Sequence, residues 1–82
     1  MKRANDNDLG LCSYVYTTDL KKANEASETL ETGCVAVNTP AVAVAEAPFG
    51  GIKQTGYGRE GGSMAIKDYL NIKYTHFGIS YE

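Results

Sequence analysis

Tryptophan is absent from this chain of 82 residues, histidine occurs once, and proline and cysteine occur twice each. A single histidine, His76, with no Cys/His spacing around it offers no metal site, and a strand histidine filling space is the plainer reading. Two cysteines, Cys12 and Cys34, are too few for a disulfide scaffold, so a reduced, cytoplasmic compartment is the default expectation. An excess of one charge is also lacking. Lys plus Arg is 8 and Asp plus Glu is 10, for a net charge of −2, and neither half of the chain is polarised. That excludes a basic nucleic-acid-binding module and removes the electrostatic case for an anionic membrane surface. No stretch approaches the roughly 20 apolar residues that span a bilayer. The segment from Met1 to Asp8 has basic residues with no apolar core behind them and is not expected to be a secretory leader.

What is present is an ordinary globular composition, 43% apolar and 22% charged. A disordered tail and a collagen-like repeat are excluded. The length allows one domain at most and is short for an enzyme with its own cofactor and substrate sites. A chain of this size buries a modest share of its surface, so help from a partner surface is expected, first of all from a second copy.

Residues 1–10 read as a loop or a frayed helix end. Leu11-Cys-Ser-Tyr-Val-Tyr-Thr17 is rich in β-branched and aromatic types, a strand signal. Thr18-Asp19 is a good N-cap. Leu20, Ala23, Ala26 and Leu30 then recur on one helical face. Lys21 and Lys22 in the first turn and Glu28 and Glu31 in the last oppose the helix dipole, so packing of that stripe must hold the helix. Gly33 reads as a left-handed C-cap. Cys34-Val-Ala-Val-Asn38 reads as a buried strand. Strand, helix, strand predicts a parallel βαβ unit.

Thr39-Pro40 ends the second strand, and Ala41–Ala45 reads as a short edge strand or an extended loop. Pro48-Phe49-Gly50-Gly51 is a turn. Six of the nine glycines lie between Gly50 and Gly62. Such a run makes no regular element cheaply, and a long ordered loop in a small domain is usually functional. Ser63 is placed to cap a short helix over 64–70, with Ala65, Ile66, Tyr69 and Leu70 as its apolar side. Residues 72–79 alternate, with Ile72, Tyr74 and His76 on one face and Lys73, Thr75 and Phe77 on the other. This predicts a terminal strand that would be an exposed, sticky edge if left alone. The fold class expected is α/β: a small parallel βαβ unit, a Gly-rich loop, a short helix and a terminal strand.

Gly56-Tyr-Gly-Arg-Glu-Gly61 spells G-x-G-x-x-G, with Glu82 some distance on. A dinucleotide cradle needs a buried strand running into the first glycine. Ile52-Lys-Gln-Thr55 is mostly polar, so a Gly-rich loop leading to a helix is the better reading. Cys34 follows the negative end of a helix, where thiolate is disfavoured, and Cys12 lies in a strand. Both read as small buried residues rather than nucleophiles. Glu46, Lys53, Arg59, Glu60 and Asp68 could act as acids or bases, but no spacing selects a pair, and solvated charges or loop anchors are the plainer reading. Phe49, a rigid aromatic on a tight turn beside an Ala/Val segment, suits the wall of an apolar pocket. The alternative is a Phe that packs its own loop.

The stretch Glu46-Ala-Pro-Phe-Gly-Gly-Ile-Lys-Gln-Thr-Gly-Tyr-Gly-Arg-Glu-Gly-Gly62 closely resembles the C-terminal signature of the aldehyde dehydrogenase superfamily. Ala4-Asn5-Asp6 with Leu9-Gly10-Leu11, Tyr14-Val15-Tyr16-Thr17 with Asp19-Leu20, Val35-Ala36-Val37-Asn38, and Asp68-Tyr69-Leu70 with Ile72-Lys73-Tyr74 resemble its flanking landmarks in the same order. Within the superfamily the wording is nearest the succinate-semialdehyde dehydrogenase-like branch.

The resemblance implies a C-terminal fragment of an NAD- or NADP-dependent enzyme that oxidises aldehydes to carboxylates. In that family a Cys thiolate attacks the carbonyl, hydride leaves to the nicotinamide, and a Glu activates water. The Gly-Gln-x-Cys nucleophile segment, the Glu-Leu-Gly-Gly base segment and the cofactor domain have no counterpart here. The resemblance therefore assigns no catalytic and no cofactor-binding residue to this chain. It gives Phe49 the place of the aromatic that lines the substrate entrance. Ala43 falls where the succinate-semialdehyde enzymes typically place a Ser that hydrogen-bonds the substrate carboxylate, a bond Ala cannot donate. Residues 1–82 then form part of a catalytic domain, with 71–82 as the oligomerisation strand. Met1 falls inside a family helix, so a truncated frame or an excised piece is expected. The expected partner is the chain itself, a dimer or higher through residues 71–79, with no nucleic acid and no membrane. The alternative function is a non-catalytic, oligomerising interaction module derived from the same fold.

Overall fold

In the computed structural model, which describes residues 1–80, the predicted βαβ unit organises the N-terminal half. The helix α1 (Lys2–Asn5) is a single turn. Strand β1 (Leu9–Gly10) follows, then β2 (Cys12–Val15), the helix α2 (Leu20–Thr29) and β3 (Cys34–Val37). β2 and β3 pair in parallel, with Cys12 opposite Cys34 and Val15 opposite Val37. β4 (Ile52–Lys53) pairs antiparallel with β1. A 3₁₀ turn at Ala65–Tyr69 is the last regular element among the described residues.

The start of α2 forms as its residues dictate. Asp19 is the N-cap, and its Oδ1 accepts the backbone N–H groups of Lys21 (2.9 Å) and Lys22 (3.2 Å). Of the apolar stripe, Ala23 and Ala26 are buried. Leu20 remains 75% exposed, so that end of the helix has nothing above it.

The C-terminal end of α2 closes by another route than the one predicted. Gly33 is not in the left-handed region, and Leu30 at the C-cap is extended, with φ −71° and ψ 125°. The cap comes from Asn5. Its Nδ2 donates to the Thr29 carbonyl at 2.8 Å, and its Oδ1 accepts the Glu31 N–H at 2.9 Å. One amide thus satisfies a terminal carbonyl and the donor just beyond it. Gly33 is needed for a different reason: a Cβ there would overlap the Gly50 carbonyl oxygen.

The strand pair is prolonged by a side chain. Asn38, at φ 57°, accepts from the Thr17 N–H and donates to the Thr17 carbonyl, both at 2.9 Å, copying a backbone rung. The predicted burial of the second strand is incomplete. Ala36 is buried, while Cys34, Val35 and Val37 are half-buried, as is Cys12. Parallel strands are normally covered on both faces within a larger sheet. Here the sheet stops at two strands, so its faces stay partly open.

Of the two readings of Ala41–Ala45, the structure takes the loop. Two further expectations are corrected. Met64, not Ser63, holds the N-cap position of the last helical turn, with no side-chain cap, and that turn is 3₁₀ over five residues. One turn gains little from helix cooperativity, and its apolar side, including Tyr69 and Leu70, is exposed. Residues 71–80 join no ladder, because no described strand lies beside them. Their period-two pattern nevertheless holds locally. Tyr74 Oη lies 3.2 Å from His76 Nδ1, and the two rings meet edge-on. Ile72 is 102% and Ile79 94% exposed. Residues 81 and 82, which complete the expected oligomerisation strand, lie outside the described residues. The radius of gyration is 19.1 Å, against about 12 Å for a compact chain of this length. No helix among the described residues is long and apolar enough to cross a membrane.

Replacing Asn5 by Ala is expected to lower the unfolding free energy by about 1–2 kcal/mol, since it strands two backbone groups at once. A urea titration followed by circular dichroism measures it. An unchanged midpoint would remove Asn5 from its capping role.

Candidate functional site

The glycine-rich loop is an ordered structure built around Phe49. Phe49 and Glu60 form an isolated antiparallel bridge, each N–H donating to the other's carbonyl at 2.7 Å. Gly62 N–H donates to the Ala45 carbonyl at 2.9 Å, closing the loop's base. Arg59 fills its centre. Its Nη1 donates to the carbonyls of Gly51 and Gly58, both at 2.8 Å, and its backbone N–H donates to Asp68 Oδ2 at 3.0 Å. These bonds draw residues 49–51 and 58–60 together without any regular element.

A second anchor ties the loop to the βαβ unit. Lys53, at φ 57°, sends its Nζ to the carbonyls of Asn5 (3.0 Å) and Asn7 (3.2 Å) and to Glu31 Oε2 (2.6 Å). The Lys53 side chain is 24% exposed and the Glu31 side chain 54%, so water screens the ion pair chiefly from the Glu31 side. Thr55 Oγ1 accepts the Gly10 N–H at 2.8 Å. Among the charged candidates, Lys53, Arg59 and Asp68 are therefore loop anchors. Glu46 and Glu60 are exposed.

The loop sets Phe49 between two clefts. The smaller, about 260 Å³, is lined by Ala43, Val44, Ala45, Phe49, Glu60 and Gly61. The larger, about 400 Å³, runs from Leu11 and Phe49 past Gly56–Glu60 to Asp68 and Tyr69. The two residues singled out from the sequence, Phe49 and Ala43, line the same cleft. Phe49 is half-buried and Ala43 exposed. Arg59 follows the loop-anchor reading, although no spacing singled it out from the other charged candidates. Asn5 is an organising residue that nothing local in the sequence marks.

The G-x-G-x-x-G run does not fit a dinucleotide. Gly56 follows a two-residue antiparallel strand, and no helix opens after Gly58. Gly58 has φ 88°, and a Cβ there would meet the Asp68 carboxylate at 2.9 Å. A carboxylate on that side repels a phosphate. The glycines serve the loop's own backbone.

Burial, and then the charge and hydrogen bonding of Cys34, push the Cys12 thiol up from its ordinary value. Neither cysteine lines the Phe49 clefts. In the folded chain Cys12 is therefore expected to resist alkylation at neutral pH. Its neutral form stabilises the fold below the ordinary thiol range, and that contribution is lost as pH rises through the raised value. Iodoacetamide labelling against pH checks this, and labelling as fast as in unfolded chain at neutral pH would contradict it. Arg59→Ala removes the loop's central donor. Amide exchange at Phe49 and Glu60 is expected to quicken about tenfold, equivalent to ~1.4 kcal/mol. Hydrogen exchange measures it, and unchanged protection would show that the loop holds without Arg59.

Residues 1–75 match the model of the aldehyde dehydrogenase family. A succinate semialdehyde dehydrogenase of Acinetobacter baylyi is 51% identical over 78 residues, which is 95% of this chain and 16% of that protein. A 3-sulfolactaldehyde dehydrogenase of Pseudomonas putida is 52% identical over 75 residues, 92% of this chain and 15% of that one. The crystal structure of an Escherichia coli NADP-dependent enzyme superposes with a TM-score of 0.85 at 47% identity, over 94% of this chain and 16% of its own. The chain thus spans about one sixth of the length of the relatives it matches. With the family signature covering residues 1–75 and folded here as the Phe49 loop on its βαβ unit, the chain belongs to the aldehyde dehydrogenase family.

Proposed function

We propose that this chain forms one wall of the substrate passage of an aldehyde dehydrogenase and is not catalytic by itself. The reaction is the oxidation of an aldehyde to a carboxylate with NAD or NADP. Residues 1–82 supply part of the catalytic domain, and 71–82 supply the strand that joins subunits. The observation that carries this reading is the position of Phe49. It is held on the Glu60 bridge and the Arg59 anchor, and it shares one cleft with Ala43.

A rigid ring beside small Ala and Val side chains leaves room for a short aliphatic aldehyde and fixes its approach. The nucleophile, the general base and the nicotinamide site belong to the rest of the enzyme. Hydride transfer needs all three. We place the reaction in the cytoplasm, where the two free thiols stay reduced.

The substrate class is an aldehyde with an acidic group at its far end, in keeping with the relatives named for succinate semialdehyde and 3-sulfolactaldehyde. Ala43 gives no hydrogen bond to that group. The test is a chimera in which residues 1–80 replace the matching stretch of the Acinetobacter enzyme. An active chimera is expected. Phe49→Ala in it should lower kcat/KM by about tenfold to a hundredfold, and Ala43→Ser should raise kcat/KM for succinate semialdehyde about tenfold, the worth of ~1.4 kcal/mol for a regained donor. A folded chimera indifferent to both changes would overturn the assignment. The 82-residue chain alone is expected to produce no NAD(P)H absorbance with short aldehydes, and turnover would refute the non-catalytic reading.

The exposed alternating segment favours a second reading, a non-catalytic module that associates through residues 71–79. Ile72, Tyr74, Phe77 and Ile79 are all more than 80% exposed, and no described strand pairs with them. A second copy could supply the missing edge. Light scattering is expected to give a dimer or higher, and a stable monomer would exclude association through this segment.

A further inference from the structure

Cys12 and Cys34 face each other across the first rung of the parallel pair, as register partners. Side chains on register partners leave the sheet on the same face. Neighbouring strands lie about 4.8 Å apart, within the roughly 4.4–6.8 Å that a disulfide needs between Cα atoms. Both thiols are free and half-buried. The Cys34 Sγ donates to the Gly50 carbonyl, a long contact of 3.8 Å, so this thiol also touches the turn that holds Phe49. Neither cysteine has a part in the function proposed above.

We propose that Cys12 and Cys34 form a reversible intrachain disulfide on exposure to a low-molecular-weight disulfide such as oxidised glutathione. Cys34 loses its proton to solvent and attacks one sulfur of the reagent. The reagent's S–S bond breaks, a mixed disulfide forms on Cys34, and one reagent thiolate leaves. Cys12 then loses its proton to solvent and attacks the Cys34 sulfur, expelling the second reagent thiolate. Two protein thiols are oxidised by two electrons, and one reagent disulfide is reduced to two thiols. Cys34 attacks first because burial, more than the neighbouring sulfur, raises the Cys12 thiol above its ordinary value.

Disulfide Cβ atoms sit about 3.5–4.5 Å apart, somewhat closer than the strands. Closing the bridge draws β2 and β3 together at that rung, and the strain makes the bond easy to reduce. It also removes the thiol hydrogen that reaches Gly50, so oxidation frees one contact of the Phe49 turn.

The experiment treats the whole 82-residue chain with oxidised glutathione at mildly alkaline pH, in buffer and in urea, and follows intact mass and peptide maps. In buffer the expected product is a monomer lighter by two hydrogens, with Cys12 and Cys34 in one linked peptide pair and both thiols regained in mild dithiothreitol. Cys12→Ser should instead accumulate the glutathione adduct on Cys34. In urea, where the strands no longer hold the sulfurs opposite each other, closure should slow by about tenfold as the effective concentration falls. Two stable glutathione adducts on the unmodified sequence, cross-linked dimers in place of the internal bridge, or equal closure rates in buffer and urea would each overturn the proposal.

Discussion

The arrangement rests on one close approach of backbone to backbone. Gly33, just before β3, lies so near the Gly50 carbonyl that no side chain fits between them. That contact is the seam between the βαβ unit and the Phe49 loop. Everything that orients Phe49 is built outward from it: the Glu60 bridge, the Arg59 donors on Gly51 and Gly58, and the Asp68 carboxylate on the Arg59 amide. A loop this rich in glycine loses much backbone entropy on ordering. Directed hydrogen bonds to its carbonyls, rather than a hydrophobic core, offset that loss.

A second constraint acts a few residues from that contact along both segments. Asn5 closes the end of α2, and its own carbonyl receives Lys53. Lys53 also reaches Glu31, one residue beyond the helix cap. Three segments far apart in sequence therefore meet at one small polar node. With Ala23, Ala26 and Ala36 as the buried apolar side chains among the described residues, such nodes carry much of the burden that a core carries in a larger domain.

What could be read from the sequence follows from how local each signal is. The β-α-β succession was legible because period two, period three-to-four and the Asp19 cap are written within a few residues. Gly33 was recognised as special for the wrong reason, since a glycine required by a distant carbonyl looks the same as one required by a left-handed turn. β1 and β4 were invisible, because two-residue strands have no period. The 72–79 alternation was legible as a pattern, but a strand also needs a neighbour, and that is not a property of the segment. Phe49 stood out by its turn and family signature. Arg59 was open as a loop anchor among several charged residues, but the carbonyls that it acts on leave no trace in composition.

The elongated outline has a practical consequence. The principal extents are 71 × 26 × 21 Å, set by a tail that projects from a small body. Such a particle experiences more hydrodynamic drag than a sphere of equal mass. On a sizing column a single copy of this shape would elute early and mimic a larger assembly. Elution volume is thus a misleading gauge of stoichiometry for this molecule.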